Sequence, residues 1–257
     1  MKYGIRDGLL RKPFDELFAE AHRLGFDGVE FCIGNDYRDS LLWQPGGAAK
    51  LRAAAESGGV VISSLSPGVF ASVHPALPDD AKREEGRAIL RHVIESCPAA
   101  GATDILVPMF PRDVAEWTDG TWARLVDAFK EHAEYAGRHG VTLDLETTLD
   151  ARQLATVIER VGSPRVKVYY DTANCTNFGY DAAADIRALG ERVGMIHAKD
   201  TEKQMLGGGR VDFDGVDAAM REISYDGWIV LETPTGDDPS AANARNLAFV
   251  RKLGRAG

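Results

Sequence analysis

The chain has 257 residues, 44% of them hydrophobic, and a formal net charge of −9, which suits one large domain such as an α/β barrel of roughly 250 residues. The acidic balance argues against an extended nucleic-acid or anionic-membrane surface, because phosphate contacts need clustered Lys and Arg. A small-molecule partner is therefore expected. Cys32, Cys97 and Cys175 are odd in number and lack a short paired spacing, so neither a disulfide framework nor a Cys-type zinc site is indicated, and a reducing cytoplasm fits. The first residues, MKYGIRDGLLRKPFDE, meet charge almost at once, and no stretch approaches 18 apolar residues, so neither secretion nor membrane spanning is expected.

In chain order, short β-type runs alternate with helical ones. Strands are expected at 3–6, 28–33, 60–65, 104–108, 141–146, 166–171, 194–199 and 228–232. Amphipathic segments at 13–24, 82–99, 121–139, 150–161, 181–193 and 214–223 lie between them, with apolar residues recurring at spacings of three and four. Gly25, Gly58-Gly59, Gly101, Gly140, Gly162 and Gly227 fall where a helix should hand over to a strand. After Thr201 comes a long polar loop, EKQMLGGGRVDF. No linker divides the chain, so residues 1–257 read as a single domain. Eight βα units close most simply as a (β/α)8 TIM barrel, the alternative being a doubly wound sheet.

In such a barrel all strands open their C-terminal ends onto one face. Four strands end there in groups that bind cations: Glu146 in VTLDLE, Asp171 in VKVYYD, His197 in VGMIHAKDT and Glu232 in WIVLE. Their separations of 25, 26 and 35 residues each match about one βα repeat, the last lengthened by Gly207–Gly209. Taken singly, each is explained by a bland role: an acid capping the next helix, or a hydrogen-bonded structural histidine. Taken together, they would repel one another and lose hydration at one barrel mouth unless a cation held them. Three oxygen donors and one imidazole suit Mn²⁺, Mg²⁺, Co²⁺ or Zn²⁺, and four protein ligands leave two octahedral positions for the oxygens of a hydroxycarbonyl.

Asn174 and Lys199 lie beside these residues and are candidates for binding substrate hydroxyls, although Lys199 could equally pair with a ligand carboxylate. Arg210, following three glycines, sits where barrels often bind phosphate. Glu30 and His74, at the loop ends of strands two and three, are further substrate-binding candidates, and Trp43 and Phe70 could wall a pocket; for these four a structural role ranks first. His22, His92, His132 and His139 fall within helices and are expected to be solvated.

The segments LDLETT, VYYDTANC, MIHAKDT, GGGRVDF and YDGWIVLETP, spread over nearly the whole chain, resemble the xylose-isomerase-like superfamily of sugar isomerases and epimerases, which also holds zinc-dependent AP endonucleases. The resemblance implies one divalent ion, Mn²⁺ foremost, held by Glu146, Asp171, His197 and Glu232. It also implies that the two glutamates act as an acid/base pair on the carbon beside a carbonyl, through a metal-stabilised enediolate. The implied substrate is a sugar or sugar phosphate, and a homo-oligomer is compatible with it. A dehydratase acting on a keto-polyol is the alternative, since it begins with the same proton abstraction. A phosphodiesterase or nuclease ranks third, because strand runs VVISSL and DILVP lack the extra histidines that the AP endonucleases carry, and a non-catalytic sugar-binding barrel ranks fourth. Ketose 3-epimerases typically have a histidine where this chain has Asn174.

Overall fold

A computed structural model describes residues 1–110 and 118–253. Eight parallel strands close in sequence order into a barrel: β1 (Lys2–Arg6), β2 (Gly28–Ile33), β3 (Val61–Pro67), β4 (Asp104–Pro108), β5 (Thr142–Glu146), β6 (Val166–Asp171), β7 (Val193–Ala198) and β8 (Trp228–Leu231). The ring is completed where β1 pairs with β8, Ile5 opposite Leu231. The barrel is therefore the observed architecture and the doubly wound sheet is not.

Helices alternate with the strands: α1 (Phe14–Leu24), α2 (Gly47–Ser57), α3 (Asp80–Ala100), α4 (Asp119–Arg138), α5 (Ala151–Val161), α6 (Thr172–Asn177), α7 (Ala182–Leu189), α8 (Phe213–Glu222) and α9 (Pro239–Val250). Their ends follow local chemistry. Asp150 and Gln153 form a reciprocal capping box at the start of α5, and α1 and α5 close on Gly25 (φ 97°) and Gly162 (φ 68°), in the left-handed region where a side chain would be strained. α2, α6 and α9 have no counterpart among the expected helices. α2 is dominated by small alanines and α9 buries two asparagines, Asn243 and Asn246, so neither displays a clean apolar stripe.

The principal core lies between the barrel wall and the surrounding helices. Inside the barrel, Leu106, Tyr169, Met195, Trp228 and Val230 form a separate apolar plug. Residues i and i+2 of a strand share a face, so Tyr169 and Met195 in the plug place Asp171 and His197 one layer nearer the mouth. Asp171 and His197 are direct register partners across β6 and β7.

Among the helical histidines, the expectation of solvation holds for His22 and fails for His132. His132 is fully buried in α4, where its Nδ1 lies 2.8 Å from the Ala128 carbonyl oxygen and its Nε2 has no hydrogen-bond partner. His92 is half-buried, stacked on Trp43 with its Nε2 2.9 Å from the Leu42 carbonyl oxygen. No helix among the described residues is long and apolar enough to cross a membrane.

Candidate metal centre

Glu146 ends β5, Asp171 ends β6, His197 lies one residue inside the end of β7, and Glu232 follows β8 directly. One ligand atom from each of these four residues lies within 4.8 Å of the others. Glu146, Asp171 and His197 are buried and Glu232 is half-buried. His197 Nδ1 is 3.2 Å from Glu232 Oε2, 3.6 Å from Glu146 Oε1 and 4.0 Å from Asp171 Oδ2.

Two buried atoms in this cluster, Asp171 Oδ2 and His197 Nδ1, carry no hydrogen bond. Buried polar atoms are rarely left so. The other oxygen of Asp171 is used conventionally, Oδ1 accepting from the Asn174 backbone N–H at 2.7 Å to cap α6. Capping and cluster-forming roles thus fall to different oxygens of one carboxylate. A hard, mostly oxygen donor set with a bare imidazole nitrogen and a bare carboxylate oxygen turned toward a common point fits a divalent cation.

The electrostatics agree. Burial, reinforced by Glu146 and Glu232 and opposed by Lys199, pushes the Asp171 carboxyl up to about 7. Burial works against a charged His197, but the surrounding carboxylates, Glu30 foremost, outweigh it and raise the imidazole well above its ordinary range in the metal-free cluster. Glu232 is likewise disfavoured by burial, yet His197, Arg6 and Lys199 hold it well below the usual carboxylate range. The cluster is an anionic concavity in which positive charge is strongly stabilised.

Around it, Lys199 Nζ lies 3.3 Å from Glu232 Oε2 and 3.5 Å from Asp171 Oδ2. Asn174 Nδ2–H donates to Glu146 Oε1 at 3.2 Å. The remaining candidates are not brought to the same point. Glu30 is fully buried, so it cannot meet substrate; it lies 3.3 Å from His197 Nε2, on the far side of the imidazole ring from Nδ1. His74 lines a cavity of about 570 Å³ together with Leu77, Lys82, Met109, Phe110 and Arg124, and none of the four cluster residues lines that cavity. Burial pushes His74 down to about 4, making it a neutral imidazole at neutral pH. Trp43 and Phe70 wall neither space: Phe70 is fully buried core and Trp43 packs against Tyr37 and His92.

The glycine loop also departs from expectation. Gly207 and Gly209 N–H both donate to Asp200 Oδ2 at 2.9 Å, while Thr201 and Val211 N–H donate to its Oδ1. A carboxylate from within the chain already occupies the position an external anion would take. The Arg210 guanidinium is held by Glu202 at 3.1 Å and Asn177 at 3.0 Å. The Gly207 and Gly209 amides are thus committed within the chain. Arg210→Ala should raise the KM for a phosphorylated sugar and for its free counterpart to within about threefold of each other, as steady-state kinetics on such a pair would show; a selective loss on the phosphorylated partner would restore the anion-site reading.

Arg6 carries weight that sequence reasoning missed. From the end of β1, its Nη1 donates to Glu232 Oε1 and its Nε lies 3.2 Å from Glu30 Oε1. The strand-end rule that finds the acids applies equally to Arg6. Tyr169 and Ser64, which both donate to Glu30, carry no comparable signal.

The sequence profile of the xylose isomerase-like TIM barrel family matches residues 18–253. The chain belongs to that family. Relatives of this xylose isomerase-like barrel include the D-psicose 3-epimerase of Agrobacterium fabrum (strain C58 / ATCC 33970), 25% identical over 252 residues spanning 90% of this chain and 84% of that one. The L-ribulose 3-epimerase of Mesorhizobium japonicum (strain LMG 29417 / CECT 9101 / MAFF 303099) is 28% identical over 254 residues, 95% of this chain and 83% of that protein. A solved structure of L-ribulose 3-epimerase superposes with a TM-score of 0.86 at 21% identity, covering 98% of this chain and 94% of that one. These similarities extend over the barrel rather than over one βα unit.

Proposed function

We propose that this protein is a divalent-metal-dependent sugar isomerase or epimerase that moves a proton on a carbon beside a carbonyl. The carrying observation is the cluster of Glu146, Asp171, His197 and Glu232 with two bare buried ligand atoms, on a chain whose relatives include ketose 3-epimerases. When bound, a divalent ion supplies the positive charge that an enediolate requires. The donor set suits Mn²⁺, Mg²⁺, Co²⁺ or Zn²⁺ alike, and the family resemblance makes Mn²⁺ the leading choice.

The chain's own residues divide the remaining work. Glu146 and Glu232 are the two proton carriers, entering from β5 and from the end of β8. Asn174 holds Glu146 through one oxygen, leaving an uncharged partner beside that carboxylate. Glu232 is held at both oxygens, by Arg6 on one side and by Lys199 on the other, which keeps it anionic. Lys199 is half-buried and faces both Asp171 and Glu232, so it is the group best placed to meet a sugar hydroxyl at the mouth. Met109, whose N–H donates to the Glu146 carbonyl oxygen at 2.9 Å, also lines the cavity that holds His74 and Lys82, and these two would offer polar groups to the rest of the sugar.

The test is a screen of ketoses, keto-acids and their phosphates with metal-replete protein in D₂O. Deuterium should enter at the carbon beside the carbonyl, and epimer should accumulate. Exchange followed by loss of water would favour the dehydratase reading; no exchange with any member of the panel would count against proton-transfer chemistry.

A further inference from the structure

Behind His197 lies a buried carboxylate that the proposed chemistry does not use. Glu30 sits in the middle of β2 and is fully buried inside the barrel. Its Oε2 accepts from Ser64 Oγ of β3 and from Tyr169 OH of β6, each at 2.8 Å. Its Oε1 lies 3.3 Å from His197 Nε2 and 3.2 Å from Arg6 Nε. Elements on opposite sides of the barrel thus converge on one carboxylate, which has no route to solvent or substrate.

We propose that Glu30 is a positioning residue that holds the proton of His197 on Nε2 and so presents a bare Nδ1 as the ligand atom, while Arg6 ties Glu30 to Glu232. The proposal rests on the metal reading above and adds to it the residue that sets ligand geometry. An imidazole that holds a cation gives up one proton and is neutral, with one N–H and one lone-pair nitrogen, and the partner of one nitrogen decides the role of the other. Here Nε2 faces a carboxylate oxygen, which can only accept, so Nε2 must donate. Nδ1 is then the lone-pair nitrogen, and it is the nitrogen that faces Glu146, Asp171 and Glu232 without a hydrogen bond. The Tyr169 ring lies against the imidazole, centroids 4.3 Å apart and planes inclined at 53°, which hinders rotation of the ring out of this pose.

Two donors on Oε2 fix Glu30 in turn. Because Ser64 and Tyr169 occupy that oxygen, Oε1 is committed to His197 and Arg6. Arg6 then reaches Glu232 Oε1, leaving Glu232 Oε2 turned toward the cluster. One guanidinium and one carboxylate orient two of the four ligand residues from beneath.

The experiment compares wild type with Glu30→Gln by titrating Mn²⁺ or Zn²⁺ into metal-stripped protein, and reads the ring nitrogens of Zn²⁺-loaded, ¹⁵N-histidine-labelled protein by NMR. Glu30→Gln should weaken metal binding by about 10- to 100-fold, the usual scale for the outer partner of a ligating histidine, with kcat recovering at saturating metal. In wild type the His197 signal should show a protonated Nε2 and a metal-bound Nδ1. Equal metal affinity in the variant, or a metal-bound Nε2 in wild type, would overturn the proposal. The wild-type spectrum decides the assignment even if Glu30→Gln does not fold, and a wild type that binds no metal would instead bring down the metal reading and this one with it. A purely structural Glu30 would lower the melting temperature of the variant while leaving both the metal titration and the ring-nitrogen assignment unchanged.

Discussion

Chelation with EDTA should abolish turnover and lower the melting temperature, with both restored by adding back a divalent ion. In the folded chain Glu146, Asp171 and Glu232 are gathered within reach of one another at the barrel mouth, three carboxylates whose mutual repulsion Lys199 and Arg6 offset in part. A cation that binds the folded state and not the unfolded chain adds about 2.7 kcal/mol when present at 100 times its Kd. For a chain of this length that corresponds to a shift of roughly 5–10 °C. Turnover should fall more steeply than stability, since the barrel's apolar core does not depend on the ion. Melting curves and ketose turnover measured before and after stripping, with metal content verified, check this; unchanged values in both would end the metal-dependent account.

Replacing either glutamate by glutamine should lower kcat by at least about 10²-fold, the usual scale of positioned acid/base help. Glutamine keeps the size of the side chain and one oxygen donor but cannot take up the proton. The two variants should differ in their metal binding. In Glu146→Gln the carbonyl oxygen can still accept from Asn174, so metal is largely retained. In Glu232→Gln the new amide NH₂ must face either Arg6 or Lys199, and a cationic donor already stands on each side. Glu232→Gln should therefore lose more metal than Glu146→Gln. If the two glutamates serve opposite faces of the sugar, each variant should also lose solvent exchange from one epimer more than from the other. A variant that binds metal normally and keeps near-full turnover would show its glutamate to be a ligand only, and Lys199, 3.3 Å from Glu232, would become the second proton carrier to test.

Much of this molecule is written in local pattern. Every strand of the barrel lies within a few residues of an apolar run bounded by turn signals, because a buried parallel strand must be apolar on both faces. The strand-end positions of Glu146, Asp171, His197 and Glu232 follow from the βα repeat alone, which brings the same end of each strand to one face whatever the details of packing. What local pattern leaves out comes from closure and from polar partners. Arg6 and Glu232 are 226 residues apart and meet only because β1 pairs with β8. Glu30 reads as a loop-end candidate, whereas the structure sets it in the middle of β2, where the closed barrel places Ser64, Tyr169, Arg6 and His197 around it. Arg210 after three glycines reads as a phosphate candidate from its place in the barrel, whereas the fold supplies Asp200 as the internal acceptor for the Gly207 and Gly209 amides. Sequence by itself thus determined the βα order and the four residues that face the mouth, since both depend on periodicity along one chain. Tertiary structure decided which polar groups are spent on one another and which remain bare, since a hydrogen bond across the barrel depends on distances that no spacing along the sequence encodes.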